Sequence, residues 1–363
     1  MDQECNKGMK ERINSITQLP PDFKLSEEES SFLLNPPPQA LPFRVTPYYL
    51  SLCSRDDPGD PLRRQCIPTI RESRFKEYEL EDPLGDKKHL ASARLVHRYR
   101  DRVLLLATDH CAMYCRHCFR RSSAGKGQIS SNELNMAVAY CKEHNEIKEI
   151  ILSGGDPLTL ENDRLMDIIR RFRTIREKIV IRIHSRIPVV LPQRITDELL
   201  RSLRDFRPLW LVTQFNHPRE ITPESSEALR MLAASGITLL NQTVLLMGIN
   251  DSFETLEQLC RSLVMLGVKP YYLFQGDLAR GTSHFRIPIL KGLELYAKLS
   301  NSLSGLLRPI YAVDLPGGGG KVVLDSGTVE RCHNGWLKLK SPEGKVYRYP
   351  IEASQQTDRF HLP

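Results

Sequence analysis

Cys111-Ala112-Met113-Tyr114-Cys115-Arg116-His117-Cys118 comes just after the apolar run Val103-Leu104-Leu105-Leu106-Ala107-Thr108. That run reads as a buried strand, so the three thiols fall in the loop at its C-terminal end. Ligands on strand-end loops are characteristic of active sites built on β/α barrels. Three cysteines are one short of a closed structural zinc site. An iron–sulfur cube takes one thiolate per iron, so three thiolates leave one iron with an open position for a small molecule. Zinc would need a fourth ligand; the chain has no second CxxC pair, and His117 sits cramped between two of the cysteines. The pattern favours an open iron–sulfur site and leaves zinc as the alternative.

The order C-x3-C-x2-C resembles the signature of the radical S-adenosylmethionine (SAM) enzymes. The resemblance implies a [4Fe-4S] cluster on Cys111, Cys115 and Cys118. Its unique iron would be chelated by the methionine moiety of SAM, which the cluster cleaves to a 5′-deoxyadenosyl radical.

Downstream of the cysteines, short apolar runs alternate with amphipathic helices. Ser130-Ser131-Asn132-Glu133 is a capping box that opens a helix with Leu134, Val138 and Cys141 on one face. Further strands are expected at Glu149–Ser153, Ile179–Ile183, Leu209–Thr213, Ile237–Gln242 and Tyr271–Phe274, each followed by a helix. Thr222-Pro223 supplies an N-cap and an N1 proline, and Gly236 a stop. Six strand–helix units in series imply a parallel sheet with right-handed crossovers. The fold class expected is α/β, a partial (β/α)6 radical SAM barrel with an N-terminal helical arm and a short C-terminal β extension. Three segments are expected: an arm with a cofactor-phosphate segment over 1–100, the barrel over 101–310, and a glycine-rich loop with the extension over 311–363.

Upstream, residues 1 to about 60 are polar and proline-rich, and a charged connecting segment follows. It ends in Leu95-Val96-His97-Arg98-Tyr99-Arg100-Asp101-Arg102. Arg98 and Arg102 lie four apart, able to share a helical face and clamp a phosphate. Cys5, Cys53 and Cys66 follow no ligand spacing and read as core or surface thiols, and Cys260 falls on or near the buried face of the helix with Leu256, Leu259, Leu263 and Leu266.

Two other stretches carry chemistry. Ser153-Gly154-Gly155-Asp156-Pro157 closes the second strand, where glycines would let a polar ligand approach the backbone; a plain strand-to-helix turn explains them equally well. After three cysteines and one β/α unit, the stretch resembles the radical SAM segment that contacts the methionine amino group. Asp314-Leu315-Pro316-Gly317-Gly318-Gly319-Gly320-Lys321 is not a Walker loop, because Val322 follows the lysine and Leu315 holds the earlier glycine position. Its lysine is either exposed and inert or placed to form a Schiff base, the usual attachment of pyridoxal phosphate (PLP). His184-Ser185-Arg186 and Gln214-Phe215-Asn216-His217 end the third and fourth strands without an assigned role.

The motifs CAMYCRHCFRR, LSGGDPL, SRIPVVLPQRIT and DLPGGGGK occur in that order, and from about residue 90 to 325 the chain resembles the lysine 2,3-aminomutase family. The resemblance implies an isomerase that moves the amino group of L-lysine from Cα to Cβ by a radical path, giving β-lysine, with a [4Fe-4S] cluster, SAM and PLP. By motif, Lys321 resembles the catalytic lysine that carries PLP. Arg98, Tyr99 and Arg102 match its phosphate and ring contacts, and Gly154, Gly155 and Asp156 the SAM segment. Arg120 matches the arginine that holds the substrate carboxylate. Asp277 and Asp314 match the two aspartates that hold the substrate ε-ammonium. An electron donor such as flavodoxin or ferredoxin is implied. A 2,3-aminomutase for arginine or glutamate, or a radical SAM enzyme that modifies RNA, are the alternatives.

Longer members of the family bind zinc across subunits through a C-terminal cysteine cluster and one further cysteine. Here no cysteine follows Cys332, and Ser252 stands where the further one would fall. The chain resembles the shorter branch, which includes the aminomutases that make β-lysine for modification of elongation factor P. No structural zinc is expected; a homo-oligomer of another kind stays open. The net charge of +7 is dispersed, with no run of five or more Lys/Arg, which argues against a nucleic-acid partner. No apolar run approaches the ~18 residues of a membrane span, and the N-terminus lacks an apolar signal core. A cytoplasmic enzyme without a membrane partner is the expectation, and nine cysteines fit a reducing interior.

Overall fold

The structure, a computed structural model, describes residues 11–351 apart from 177, 326 and 332–334. Cys5 and Cys332 lie outside the described residues. Ten strands form one sheet in the order of the chain. They are β1 (Leu90–Ser92), β2 (Leu95–Tyr99), β3 (Arg102–Thr108), β4 (Glu149–Gly154), β5 (Val180–His184), β6 (Leu209–Thr213), β7 (Thr238–Leu245), β8 (Val268–Gln275), β9 (Ile310–Leu315) and β10 (Gly320–Val323). β3 to β9 run parallel, while β1, β2 and β10 add antiparallel.

Strand alternation sets the two faces. Leu105, Leu152, Ile181, Ile183 and Leu211 are buried beneath the outer helices, and each fully buried aliphatic side chain contributes about 1.5–3 kcal/mol relative to exposure. Their neighbours Leu104, Ile151 and His184 point the other way, into a single cavity that also takes in Val212, Gln242, Phe274, Asp314 and Lys321. One cavity lined from β3 through β10 requires the sheet to curl around it, as the partial barrel expects. β1 and β10 stay at the ends of the strand order, so the barrel is open.

The helices fall where their signals stand. Ser130 and Glu133 cap Ser131–Glu143 reciprocally, Thr222 caps Pro223–Ala234, and Ser252 caps Phe253–Met265 through Thr255 N. No helix among the described residues is long and apolar enough to cross a membrane. A second sheet, β11 (Val329–Arg331), β12 (Trp336–Lys340) and β13 (Val346–Pro350), is antiparallel. It docks on the barrel where the Tyr349 hydroxyl donates to Gly276 O at 2.9 Å.

Three expectations need correction. Arg98 and Arg102 share no helical face, because Leu95–Tyr99 is a strand whose hairpin pairs Tyr99 with Arg102. Leu95 and Val96 are buried in the sheet, and that burial overrides any helical tendency of the segment. The parallel run also gains a seventh strand, β9, so Asp314 stands within a strand instead of opening the loop. The glycines then turn the chain back so that Lys321 pairs directly opposite Asp314. Lastly, β1 and β2 lie inside a segment expected to be a helical arm; among the described residues its helices are short, Glu27–Leu34 being the longest of them at 8 residues.

Candidate active site

The cysteine loop leaves β3 and is pinned from beneath before the next helix begins. Tyr114 N donates to Arg44 O and Arg116 N to Gln65 O. The fully buried Arg116 donates to both oxygens of Glu72, at 2.8 and 2.6 Å, and to Pro42 O and Leu41 O. Arg121 also reaches Glu72. Burial alone would push the Glu72 carboxyl up; Arg116 and Arg121 outweigh it and hold the group below its ordinary range. Neither Glu72 nor Arg116 carries a signal in the sequence, since 44 residues separate them. Glu72→Ala leaves a buried guanidinium unpaired, so it should cost about 3–5 kcal/mol. A fall in the denaturation midpoint together with lost iron per chain would show it; unchanged stability would contradict this reading of the loop.

Cys111, Cys115 and Cys118 face the cavity from this loop. Burial pushes the Cys111 thiol well up and Cys118 up to about 11, with the neighbouring thiols adding to both. They stay protonated until metal displaces the protons. Arg186 donates to Cys115 Sγ at 2.7 Å and so orients that side chain in the loop. Among the described residues no three His, Cys, Asp or Glu side chains are gathered as a single metal ion would hold them. A cube takes each thiolate on a different iron, and the three thiols of this loop, all lining one cavity, match that donor set. His117 Nε2 lies 3.1 Å from Gln214 Nε2, and its Nδ1 is buried without a partner among the described residues.

Gly154 and Gly155 line the first cavity and are also required by close backbone packing. A Cβ on Gly154 would lie 2.3 Å from Thr108 O, and one on Gly155 2.3 Å from His110 O. It is the backbone entering the cysteine loop that packs against them, and Asp156 N donates to His110 O at 2.8 Å. The Asp156 carboxylate accepts from Ser185 Oγ, Arg186 N and Leu158 N. It ties the ends of β4 and β5 together and holds the loop that faces the cavity. Burial pushes its carboxyl up to about 6 against those three hydrogen bonds.

Two cavities, of about 590 and 750 Å³, meet around Lys321, Asp314, Arg120, His184 and Asp86. The first opens on the cysteine loop; the second runs to Arg98, Tyr99 and Arg102. Lys321 Nζ donates to Asp314 Oδ2 at 2.7 Å and lies 3.9 Å from the centre of the Phe274 ring. Lys321 N donates to the Tyr99 hydroxyl at 3.0 Å, and the Arg102 guanidinium stacks on the Tyr99 ring at 3.9 Å. Arg98 Nε is buried with no partner among the described residues. An aromatic wall beside an amine, with an unsatisfied guanidinium N–H at the far end, fits a pyridine ring bearing an anionic arm.

Asp277 follows β8 and lines the first cavity. Its carboxyl is pushed up to about 7, by burial first and then by Asp314. Arg120 lies at the junction, its Nε donating to Asp86 at 2.9 Å. Cys111, Cys115, Cys118, Gly154, Gly155, Asp156, Arg120, Asp277, Asp314 and Lys321 line the first cavity and Arg98, Tyr99 and Arg102 the second; His184, named without a role, lines both, His217 lines neither, and Asp86, Phe274 and Gln242 are added. His184 Nε2 is buried without a partner among the described residues. Burial, then Arg182, Arg120 and Lys321, hold its imidazole well below the ordinary range and neutral. Phe274 was legible as the same-face neighbour of Tyr272; Asp86 had no signal at all.

Residues 105–263 match the Radical SAM superfamily. The chain is 45% identical to the L-lysine 2,3-aminomutase of Fusobacterium nucleatum, covering 96% of this chain and 83% of that one. It is 42% identical to the L-lysine 2,3-aminomutase of Clostridium subterminale, covering 94% and 82%. The glutamate 2,3-aminomutase of Clostridioides difficile is 36% identical, covering 94% and 81%. With such likeness along nearly its whole length, and three thiols facing a lysine across one barrel, the chain belongs to the lysine 2,3-aminomutase family of radical SAM enzymes.

Proposed function

We propose that this protein converts L-lysine to β-lysine by 2,3-migration of the amino group. The observation that carries the substrate is the Lys321–Asp314 ion pair at 2.7 Å, beside Asp277. An ammonium group already sits on this acidic pair. Once Lys321 is engaged by a carbonyl compound, the pair faces the cavity in need of another cation, and the ε-ammonium of lysine supplies it. A glutamate side chain would set a third carboxylate there, and like charges disfavour it. Arginine brings a broad planar head that needs forked geometry.

The residues divide the work. Cys111, Cys115 and Cys118 hold the cluster, and the Gly154–Asp156 loop shapes the SAM side of the cavity. When bound, cluster and SAM supply a hydrogen-abstracting radical, and PLP a π system that stabilises the migrating radical. Arg98, Tyr99 and Arg102 hold the PLP phosphate end, and Arg120 takes the substrate carboxylate. The barrel wall excludes water from the reacting carbons. Arg98 and Tyr99 come from β2, Arg102 and the thiol loop from β3 and its end, and Asp314 and Lys321 from β9 and β10. Reduction of the cluster requires a low-potential donor such as flavodoxin or ferredoxin, in the cytoplasm.

Anaerobically reconstituted enzyme should turn over lysine and not glutamate. Asp277→Ala and Asp314→Ala should each lose about 2–5 kcal/mol of transition-state stabilisation while keeping iron and PLP. Faster turnover of glutamate or arginine, or full activity in both variants, would refute the substrate. The pH dependence has a definite sign. Asp277 must be ionised to hold an ammonium, and its ligand-free pKa is about 7. Lysine affinity should therefore fall about tenfold from pH 8 to pH 6 through this group, and Asp277→Asn should flatten that slope.

A further inference from the structure

Residues 78–90 form a strap across the barrel. Leu80 N donates to Leu278 O and Arg280 N to Leu80 O, beside Asp277. Gly317 N donates to Pro83 O, which ties the strap to the glycine loop. The Asp82 carboxylate accepts from Asp86 N and Lys87 N, both at 2.9 Å, and so fixes the turn that carries Asp86. This turn delivers the Asp86 side chain to the place where the two cavities meet. One Asp86 oxygen accepts from Arg98 Nη2 at 3.1 Å, the other from Arg120 Nε at 2.9 Å. The three side chains are only 15%, 10% and 18% exposed, so solvent screens the pairs weakly.

A guanidinium is a rigid planar fork. With Nε held by Asp86, the Nη1–Nη2 edge of Arg120 is the edge left to a ligand, and Phe119 backs the plane at 4.6 Å. We propose that Asp86 is a positioning residue that aims the Arg120 fork at the substrate carboxylate and sets its distance from Arg98. The inference rests on the reading of Arg120 as the carboxylate clamp. One carboxylate between two arginines would then fix the spacing between the substrate's carboxylate and the anionic arm held by Arg98. A purely structural ion pair would instead stabilise the strap without regard to what the ligand carries.

The test uses iron- and PLP-loaded enzyme with reductant left out, so that nothing turns over, and calorimetric titration with two amines. L-Lysine has the carboxylate; 1,5-diaminopentane has the same carbon chain and ammonium without it. Asp86→Asn should weaken lysine about tenfold or more and diaminopentane less than about twofold, since only the former uses the aligned fork. Equal weakening of both, or of neither, overturns the proposal. Arg120→Lys has no Nε edge for Asp86 to hold, so adding Asp86→Asn to it should weaken lysine by less than about threefold more. Full additivity also overturns the proposal. If Asp86→Asn fails to load, Asp86→Glu, which keeps the charge on a longer arm, gives the same two-amine comparison. Should wild-type enzyme bind lysine no more tightly than diaminopentane, the Arg120 assignment itself falls, independently of Asp86.

Discussion

Cys111→Ala, Cys115→Ala and Cys118→Ala should each abolish SAM cleavage, whereas Cys141→Ala and Cys260→Ala should leave it intact. Each of the three loop thiols has its own iron to hold, and among the described residues no further cysteine lines the cavity to replace a lost one. Cys141 and Cys260 are buried on the inner faces of Ser131–Glu143 and Phe253–Met265. Burial pushes both of their thiols up to about 12, which suits inert core groups. The measurement is 5′-deoxyadenosine released by anaerobic protein under a strong reductant, with iron per chain determined in parallel. Full cleavage by Cys115→Ala would refute the cluster assignment. Loss of cleavage in Cys141→Ala with iron retained would show that a core thiol had been misjudged.

Lys321→Ala should lose the borohydride-reducible PLP adduct while keeping the cluster's iron. The two groups sit on different walls: the thiols on the loop after β3, the amine on β10. Among the described residues Lys321 is the lysine that lines both cavities, its amine held by Asp314 and backed by Phe274. Lys269 is a poor rival, because its ammonium is spent on Gly305 O, Leu306 O and Arg308 O. Mass spectrometry of reduced, digested protein should place the adduct on the peptide containing Lys321. An adduct on Lys126 or Lys269 would overturn the reading of the glycine loop.

These two expectations differ from the others in how far the chain alone supports them. Neighbouring residues set the cysteine spacing, the Ser130–Glu133 box and the alternation of strand and helix. Local patterns of that kind survive in any fold that uses them. For the same reason six of the seven parallel strands, the helix caps and the candidate lysine were all legible in order.

Arrangements between distant residues were not. The hairpin of Leu95–Tyr99 on Arg102–Thr108 depends on pairing to a buried edge, which a charged segment does not announce. β9 was obscured because the glycines after it dominate the local pattern, and Asp314 gained its partner only when β10 folded back. Glu72 finds Arg116, and Asp86 finds Arg98 and Arg120, through space. A carboxylate has no sequence signal for a guanidinium that chain folding brings to it. The sequence by itself determined which chemistry this protein carries, because thiol spacing and a lysine behind glycines are local facts. The tertiary structure decided how that chemistry is aimed, because ion pairs and cavity walls exist only once the sheet has curled.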